Sequence, residues 1–239
     1  MKITVIYGTP RKAKSSTYQI AQDFINLLSD GDHVKEFFLP KSMPHFCRGC
    51  WECFTDHTKC PDFEYVSPII EAILEADLLI LTAPVYVYHV PGQVKALLDH
   101  FGYQWMAHQP RKEMFHKQAL LISTAAGAGT RSTIKDLKDS MNFWGIARTY
   151  AFGRNTHAVD WDSVDEKRKL LFRKDIIRIA RKIKAASIHV TPCLKVKGLF
   201  YMMRLMHHKF RFNQADVVYW ESHGWLEKKR PWDRDRQAI

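Results

Sequence analysis

The residues best suited to chemistry begin with a glycine-led loop of hydroxyls and cations, Gly8-Thr-Pro-Arg-Lys-Ala-Lys-Ser-Ser-Thr17, which follows a short apolar run. A helical pattern starts directly after it, and a helix N-terminus directs unpaired N–H groups and a partial positive charge into such a loop. The loop lacks both the Walker spacing and the G-x-G-x-x-G dinucleotide fingerprint. It predicts a phosphate site, with an ordinary strand–helix turn capped by Ser or Thr as the alternative.

Four of the five cysteines lie close together, in the spacing Cys47-x2-Cys50-x2-Cys53-x6-Cys60, whereas Cys193 stands apart. In a chain whose strand pattern starts near its first residue, such clustering indicates a metal or redox site rather than a disulfide framework. Three thiolates at this spacing can surround three corners of an iron–sulfur cubane, and the fourth follows shortly downstream. Structural zinc is less favoured, because its sites more often pair two separated Cys-x2-4-Cys turns.

Alternating strand and helix patterns must position these groups. Strands are predicted at residues 2–7, 33–39, 76–82, 118–124 and 147–152, and helices at 16–29, 66–75, 92–101, 130–142 and 165–187. Five alternations predict an α/β fold with a doubly wound five-stranded parallel sheet and helices on both faces. Such sheets bind ligands at the carboxyl ends of their strands, where the loops after Tyr7, Leu39, Thr82 and Thr124 lie.

Composition and charge narrow the class of protein. The chain has 239 residues, 46% of them hydrophobic, which excludes disorder and provides a core for one domain with an extension. No apolar run is long enough to span a membrane, and no signal segment opens the chain, so we expect a cytoplasmic protein. Residues 1–166 carry 17 Lys/Arg against 19 Asp/Glu, whereas 167–239 carry 19 against 6. This basic third could serve nucleic acid, anionic lipid or a phosphorylated cosubstrate, or be a solvated helix face.

Three motifs on successive loops resemble one known family. Thr82-Ala-Pro-Val-Tyr-Val-Tyr-His-Val-Pro-Gly-Gln-Val-Lys-Ala-Leu-Leu-Asp-His100 resembles the flavin loop and following helix of the NAD(P)H-dependent FMN reductases, which have a flavodoxin-like fold. Gly8-Thr-Pro-Arg with Ser16-Thr17 resembles their phosphate loop, and Thr124-Ala-Ala-Gly-Ala-Gly129 their third flavin loop. The resemblance covers residues 1–187 and implies FMN as the cofactor, with NAD(P)H as the cosubstrate that transfers a hydride to flavin N5.

The resemblance also implies which residues bind the flavin. The phosphate would be held by Thr9, Arg11, Ser15, Ser16 and Thr17, the redox rim by Pro84, Val85, Tyr86, Val87 and Tyr88, and the far edge of the ring by Thr124, Ala125, Ala126 and Gly127. Backbone N–H groups of Val85–Tyr88 would face the polar rim. The alternative for Tyr86 and Tyr88 is packing against a neighbouring subunit or the C-terminal extension. No acid–base residue is required, since the flavin carries the chemistry, and His89 and His100 are interpreted as surface or helix-end residues.

The cysteine motif resembles that of the iron-sulfur flavoproteins, a branch of the same fold. This resemblance implies that Cys47, Cys50, Cys53 and Cys60 ligate a [4Fe-4S] cluster, which would exchange electrons with a redox protein. Relatives with such loops often carry an Asp-Asp pair shortly after the last cysteine, but here Asp62 is followed by Phe63. The alternative is therefore a reduced, metal-free loop that lines the flavin site.

These observations predict a two-part organisation. We expect residues 1–187 to form the flavodoxin-like FMN-binding domain. Residues 188–239 are expected to form a helical, basic and aromatic-rich C-terminal extension that serves as a lid over the flavin or as a dimer arm. The expected function is an FMN-dependent oxidoreductase that reduces a small-molecule or protein acceptor and forms a homodimer or larger homo-oligomer. The rival outside this class is a non-enzymatic module that binds nucleic acid or a membrane surface through its basic third.

Overall fold

A computed structural model describes residues 1–29 and 33–233 and contains one parallel sheet in the order β2-β1-β3-β4-β5. Its strands are β1 (Ile3–Tyr7), β2 (Val34–Phe38), β3 (Leu78–Thr82), β4 (Gln118–Ala125) and β5 (Arg148–Asn155). The topological switch point of the sheet lies at β1, because β2 pairs with one edge of β1 and β3 with the other. The predicted five-stranded doubly wound sheet is confirmed.

In the described part of the chain, seven α-helices accompany the sheet. They are α1 (Ser16–Leu28), α2 (Phe63–Glu75), α3 (Gly92–His100), α4 (Thr130–Phe143), α5 (Glu166–Ser187), α6 (Leu194–Phe210) and α7 (Gln214–Ser222). Only α2 starts clearly earlier than predicted, because Phe63–Tyr65 form a first turn ahead of the apolar periodicity that begins at Val66. No helix among the described residues is both long and apolar enough to cross a lipid bilayer.

Two apolar layers hold the helices against the sheet. Successive residues of a strand point to opposite faces, so Leu78 and Ile80 pack with α1 and α5, whereas Leu79 and Leu81 pack with α2, α3 and α4. All four side chains are fully buried. The alternation explains why the central strands read as continuous apolar runs in the sequence.

The C-terminal extension packs on the domain through a third apolar cluster. Its buried members are Met106, Phe115, Val196, Phe200, Val217, Trp220, Trp225 and Leu226. Trp220 Nε1 donates to the His108 carbonyl at 2.7 Å, and His108 Nδ1 lies 2.9 Å from Asp216 Oδ2. The extension is thus anchored to the segment between α3 and β4; its residues 234–239 lie outside the described part of the chain.

Candidate functional site

The loops after β1, β3 and β4 meet at the carboxyl edge of the sheet. The N–H of Gly8 donates to the Thr82 carbonyl at 2.9 Å, and the N–H of Val85 donates to the Thr124 carbonyl at 2.9 Å. The three loops therefore join in strand order across the point where the sheet reverses direction. Open parallel sheets bind their ligands in this position.

The phosphate loop leaves the N-terminus of α1 free. Ser15 stands at the N-cap, but its side chain makes no hydrogen bond to the first-turn N–H groups. Its Oγ lies instead 2.9 Å from Thr17 Oγ1, and both residues are buried. Because a helix cannot satisfy its first N–H groups internally, those donors remain available to an anion. The alternative of a turn capped by a Ser or Thr side chain is not what the structure contains.

Neighbouring groups close this loop from two sides. Arg11 is exposed, and its Nη1 donates to the Val159 carbonyl at 3.2 Å. The N–H of Trp161 donates to the Lys14 carbonyl at 3.3 Å, which brings the segment after β5 onto the loop. Thr9 is buried and its Oγ1 accepts from the N–H of Arg11 at 3.3 Å. The remaining guanidinium donors of Arg11 can meet a phosphate at the α1 N-terminus.

Close approach of two loops explains the glycine at position 8. A Cβ on Gly8 would lie 2.4 Å from the Thr82 carbonyl oxygen and 2.6 Å from Val94 Cγ2. Gln93 Nε2 also donates to the Gly8 carbonyl at 2.8 Å, so α3 holds the loop from beneath. Only glycine leaves room for this contact.

The segment after β3 forms a tight hairpin turn. The N–H of Tyr86 donates to the His89 carbonyl at 3.0 Å, and the N–H of His89 returns a bond to Tyr86 at 3.1 Å. Val87 and Tyr88 have φ angles of 47° and 67°, values that a β-branched residue rarely adopts. His89 Nδ1 lies 2.9 Å from Asp136 Oδ2 on α4, which anchors the strained turn. This surface position agrees with the prediction for His89.

Fewer backbone donors of this turn are free than predicted. The N–H groups of Val85 and Tyr86 are already bonded, to Thr124 and His89. Within residues 1–29 and 33–233, the N–H groups of Val87 and Tyr88 have no acceptor. Tyr86 and Tyr88 are 45% and 63% exposed, so their rings remain available rather than packed under the extension. The polar rim of a flat ring could thus meet two donors, not four.

The loop after β4 offers bare backbone beside that turn. Ala126 and Gly127 are exposed, whereas Thr124 and Ala125 are buried at the end of the strand. Gly129 has a φ of 102°, and a Cβ there would lie 2.6 Å from Val85 Cγ1. The small residues therefore keep the two loops close and leave a surface that a planar ring can approach.

All four clustered cysteines line one cleft of about 320 Å³. Burial, and then the nearby thiols of the other three cysteines, raise the pKa of Cys53 to about 11. Burial likewise raises the pKa of Cys60. A hydrogen bond from the Asp62 backbone opposes this effect, whereas the Asp62 charge and the Cys50 and Cys47 thiols add to it. The loop is irregular except for two short 3-10 turns at Glu52–Phe54 and His57–Lys59, and it places all four cysteines along this cleft. Ligation of a cluster by the four thiols stays a prediction.

The same cleft contains a hydrogen-bonded pair, Asp62 and His100, that the sequence did not predict. Asp62 Oδ2 lies 3.1 Å from His100 Nε2, and its Oδ1 lies 2.7 Å from His45 Nδ1. Burial alone would raise the pKa of Asp62, but the hydrogen bonds from both histidines bring that pKa below its usual range. His100 ends α3 as predicted, yet it is buried. The signal available in the sequence was Asp62 itself, an acidic residue two positions after Cys60, the last cysteine of the cluster.

A known protein family matches the part of the chain that contains all five strands. The sequence matches the family described as NADPH-dependent FMN reductase over residues 1–160. An iron-sulfur flavoprotein of Methanosarcina thermophila is 28% identical over 172 residues, which cover 70% of this chain and 85% of that protein. An FMN-dependent NADH:quinone oxidoreductase of Pelagibacter ubique is 28% identical over 191 residues, which cover 71% and 97%.

Solved structures confirm the fold. An FMN-dependent NADH-azoreductase of Bacillus anthracis, determined in complex with FMN, superposes with a TM-score of 0.59 at 15% identity. The match covers 77% of this chain and 99% of that one. The flavodoxin-like architecture expected from the three motifs is therefore correct.

Proposed function

The chain belongs to the NADPH-dependent FMN reductase family, and from this premise we propose that it passes electrons from NAD(P)H, through FMN held at the carboxyl edge of the sheet, to an oxidised acceptor. Membership makes it an NAD(P)H-dependent flavin oxidoreductase with FMN as its cofactor. FMN, when bound, would supply the redox chemistry as the acceptor of a hydride from the nicotinamide. The protein contributes binding, orientation and electrostatics.

The phosphate end of the cofactor fits the α1 N-terminus. Its uncapped N–H groups provide donors and a partial positive charge. Ser15, Ser16 and Thr17 add hydroxyls, and Arg11 adds charged donors at the rim. Thr9 shapes the loop through its bond with the Arg11 N–H. A terminal monophosphate suits this site, since one anion satisfies all these donors.

The ring end fits the two neighbouring loops. The unbonded N–H groups of Val87 and Tyr88 are positioned to donate to the polar rim of the ring, and Tyr86 and Tyr88 offer aromatic surface. Ala126 and Gly127 let backbone approach the opposite edge. Because hydride transfer needs position rather than an acid or base, we assign no catalytic side chain.

The uncapped α1 N-terminus at the reversal point of the sheet carries this proposal. Its test is to release the flavin of the purified full-length protein by heat and to identify it by chromatography. FMN, together with oxidation of NADH or NADPH by the holoprotein, is the expected result. Recovery of FAD, or no flavin after reconstitution with FMN, would contradict it.

For the acceptor we propose a small quinone. The support is the relative named FMN-dependent NADH:quinone oxidoreductase, which matches this chain along 97% of its own length. A flat quinone would need open aromatic surface beside the proposed ring site, and exposed Tyr86 and Tyr88 would provide it. Steady-state assays should give ping-pong kinetics with a water-soluble benzoquinone. Turnover with protein acceptors but no quinone would refute this acceptor class.

A second candidate function is that of an iron-sulfur flavoprotein. It is favoured by the convergence of Cys47, Cys50, Cys53 and Cys60 on one cleft and by the iron-sulfur relative at 28% identity. The four thiolates would hold a [4Fe-4S] cluster, which exchanges single electrons when bound. Anaerobically purified protein should then contain about four irons and four sulfides per chain. Freely titrating thiols without iron would leave the two-electron reductase alone.

The two-part organisation and the homo-oligomer remain predictions. Apolar side chains stay exposed on and after α6, namely Leu194, Tyr201, Met202, Leu205, Phe210 and Phe212. We propose that a second copy covers them, and that the protein works in the cytoplasm, where NAD(P)H and reduced thiols are maintained. Light scattering should report a dimer that dissociates, or aggregates, when the chain is truncated after Ser187. Binding of the intact monomer to anionic vesicles or nucleic acid would favour the surface-binding alternatives.

A further inference from the structure

We propose that, in protein without an iron–sulfur cluster, the cysteine cleft binds one Zn²⁺ through Cys60 Sγ, Asp62 Oδ2 and His100 Nε2. One ligand atom from each of these three residues lies within 4.8 Å of those of the other two, and Oδ2 and Nε2 are the atoms that face each other at 3.1 Å. The site is independent of the flavin loops, and its donors differ from the four-thiolate set. It adds a metal-binding function to the reductase rather than a step in its reaction.

The spacing of the donors suits a tetrahedral metal. With zinc–ligand distances of about 2.0–2.3 Å, neighbouring ligand atoms of such a site lie about 3.3–3.6 Å apart. His100 Nε2 and Asp62 Oδ2 are already 3.1 Å apart. A ligand atom of Cys60 lies within 4.8 Å of those of the other two residues and lines the same cleft. Thiolate, imidazole and carboxylate are together the donor types that Zn²⁺ accepts.

The second atoms of both buried ligands are held by neighbours. His100 Nδ1 lies 2.8 Å from the Ala96 carbonyl, which can only accept, so Nδ1 carries the proton and Nε2 faces the cleft. Asp62 Oδ1 is bonded to His45 Nδ1 at 2.7 Å, which leaves Oδ2 for the metal. Metal-binding histidines and carboxylates are characteristically oriented by such outer hydrogen bonds.

Burial makes the Asp62 carboxylate dependent on positive partners. Asp62 and His100 are each only 3% exposed, and a carboxylate in such surroundings needs compensating positive charge. Without a metal, the carboxylate accepts hydrogen bonds from His45 Nδ1 and His100 Nε2. A divalent cation would take the place of the Nε2 proton, which is released on binding, and would replace that hydrogen bond with two coordinate bonds. Three protein ligands leave a fourth position, which opens on the 320 Å³ cleft and is free for water.

Zinc and the [4Fe-4S] cluster exclude each other, because both need Cys60. Their remaining ligands differ, which separates the two by mutation. Asp62 and His100 serve only the zinc site, whereas Cys47 and Cys50 serve only the cluster. Competition for Cys60 therefore predicts that zinc-loaded protein does not accept iron and sulfide until the zinc is removed.

The test uses full-length, reduced, chelator-treated protein titrated aerobically with Zn²⁺ against a chromophoric chelator. We expect one Zn²⁺ per chain, and at least tenfold weaker binding in Cys60→Ser, Asp62→Asn and His100→Gln. The matched controls are Cys50→Ser and Asp99→Asn, which line the same cleft outside the proposed site and should bind normally. Substitution with Co²⁺ should give the intense visible bands of a tetrahedral site with a thiolate-to-cobalt charge-transfer band.

Two outcomes would overturn the proposal. One is the absence of stoichiometric Zn²⁺ binding by the folded protein. The other is loss of binding in Cys50→Ser with normal binding in His100→Gln, which would indicate a thiolate-only site. FMN content and NADH oxidation report folding of each variant. If His100→Gln fails to fold, Cys60→Ser and Cys50→Ser together decide the question, since Cys60 is only half-buried and Cys50 is exposed. Weaker binding in Cys60→Ser alone supports the proposed site, and weaker binding in both indicates a thiolate-only site. Failure of the flavin function would leave these results unchanged.

Discussion

Two regions of the molecule differ in the kind of group that would bind a ligand. They are the flavin edge, which is the site proposed for FMN at the loops after β1, β3 and β4, and the cysteine cleft. At the flavin edge the donors are mainly backbone N–H groups, which belong to the N-terminus of α1 and to the strained turn at Val87 and Tyr88. In the cleft they are side chains, the four clustered thiols and the Asp62–His100 pair. Backbone sites depend on local geometry and on glycines, whereas side-chain sites depend on distant residues meeting. Substitutions should therefore act differently in the two regions.

The largest effect should come from the glycine of the phosphate loop. In Gly8→Ala the new Cβ would lie 2.4 Å from the Thr82 carbonyl oxygen, so backbone must move. We expect the free energy of unfolding to fall by about 3 kcal/mol or more and bound FMN to be lost. Gly92→Ala is the control, because its Cβ would meet nothing within 4 Å. Urea unfolding and flavin content measure both; an unchanged Gly8→Ala protein would show that the contact is dispensable.

In the cleft, Asp62→Asn should lower the free energy of unfolding of metal-free protein by about 2–3 kcal/mol, because it weakens two charged hydrogen bonds. The folded pKa of Asp62 is depressed, so its contribution is fully present above the ordinary aspartate pKa and is lost as the pH falls through the folded value. Thermal midpoints measured from pH 6 to pH 3 should therefore converge for wild type and variant. Asp99→Asn should follow wild type, and a constant gap at all pH values would contradict this role.

Arg11→Ala tests the one charged side chain expected at the flavin edge. We expect FMN binding to weaken by about 1.5–3 kcal/mol, the scale of a hydrogen bond to a charged group. Stability of the apoprotein should change little, because Arg11 is exposed and makes a single bond to the Val159 carbonyl. Arg148→Ala, at the amino end of β5, is the matched control. Fluorescence titration with FMN measures both, and equal affinities would assign the phosphate to backbone donors alone.

The smallest effect should come from the hairpin turn. Val87→Asn replaces a β-branched residue at a φ of 47° with one that tolerates this conformation. We expect the apoprotein to gain about 1 kcal/mol of stability without losing FMN, since the N–H at position 87 is retained. Val159→Asn, which also exchanges an exposed valine, should bring no gain. A gain in stability with loss of FMN would mean that the valine side chain itself contacts the ring.

Particular residues show how far the sequence could be interpreted. The phosphate loop was recognisable because Gly8, the hydroxyls and the start of α1 are contiguous, and contiguous residues adopt their geometry locally. The sequence could not show that the N–H groups of Val85 and Tyr86 are already hydrogen-bonded, because their acceptors depend on the turn that forms. The contacts of the extension could not be predicted for a related reason: its apolar pattern indicated burial, but not that Phe200 and Trp220 would pack with Phe115.

The sequence by itself determined the strand and helix order, the carboxyl-edge loops and the grouping of four cysteines. These follow from periodicity and spacing, which act between near neighbours. Only the tertiary structure decided that His100 meets Asp62 beside Cys60, across 38 residues of chain. The neighbouring sequence does not distinguish a histidine at an exposed helix C-terminus from one at a helix C-terminus that is buried in the protein. The distinction arises when α3 packs against the sheet and its last turn comes to face the cysteine loop, which places a buried base next to a buried acid.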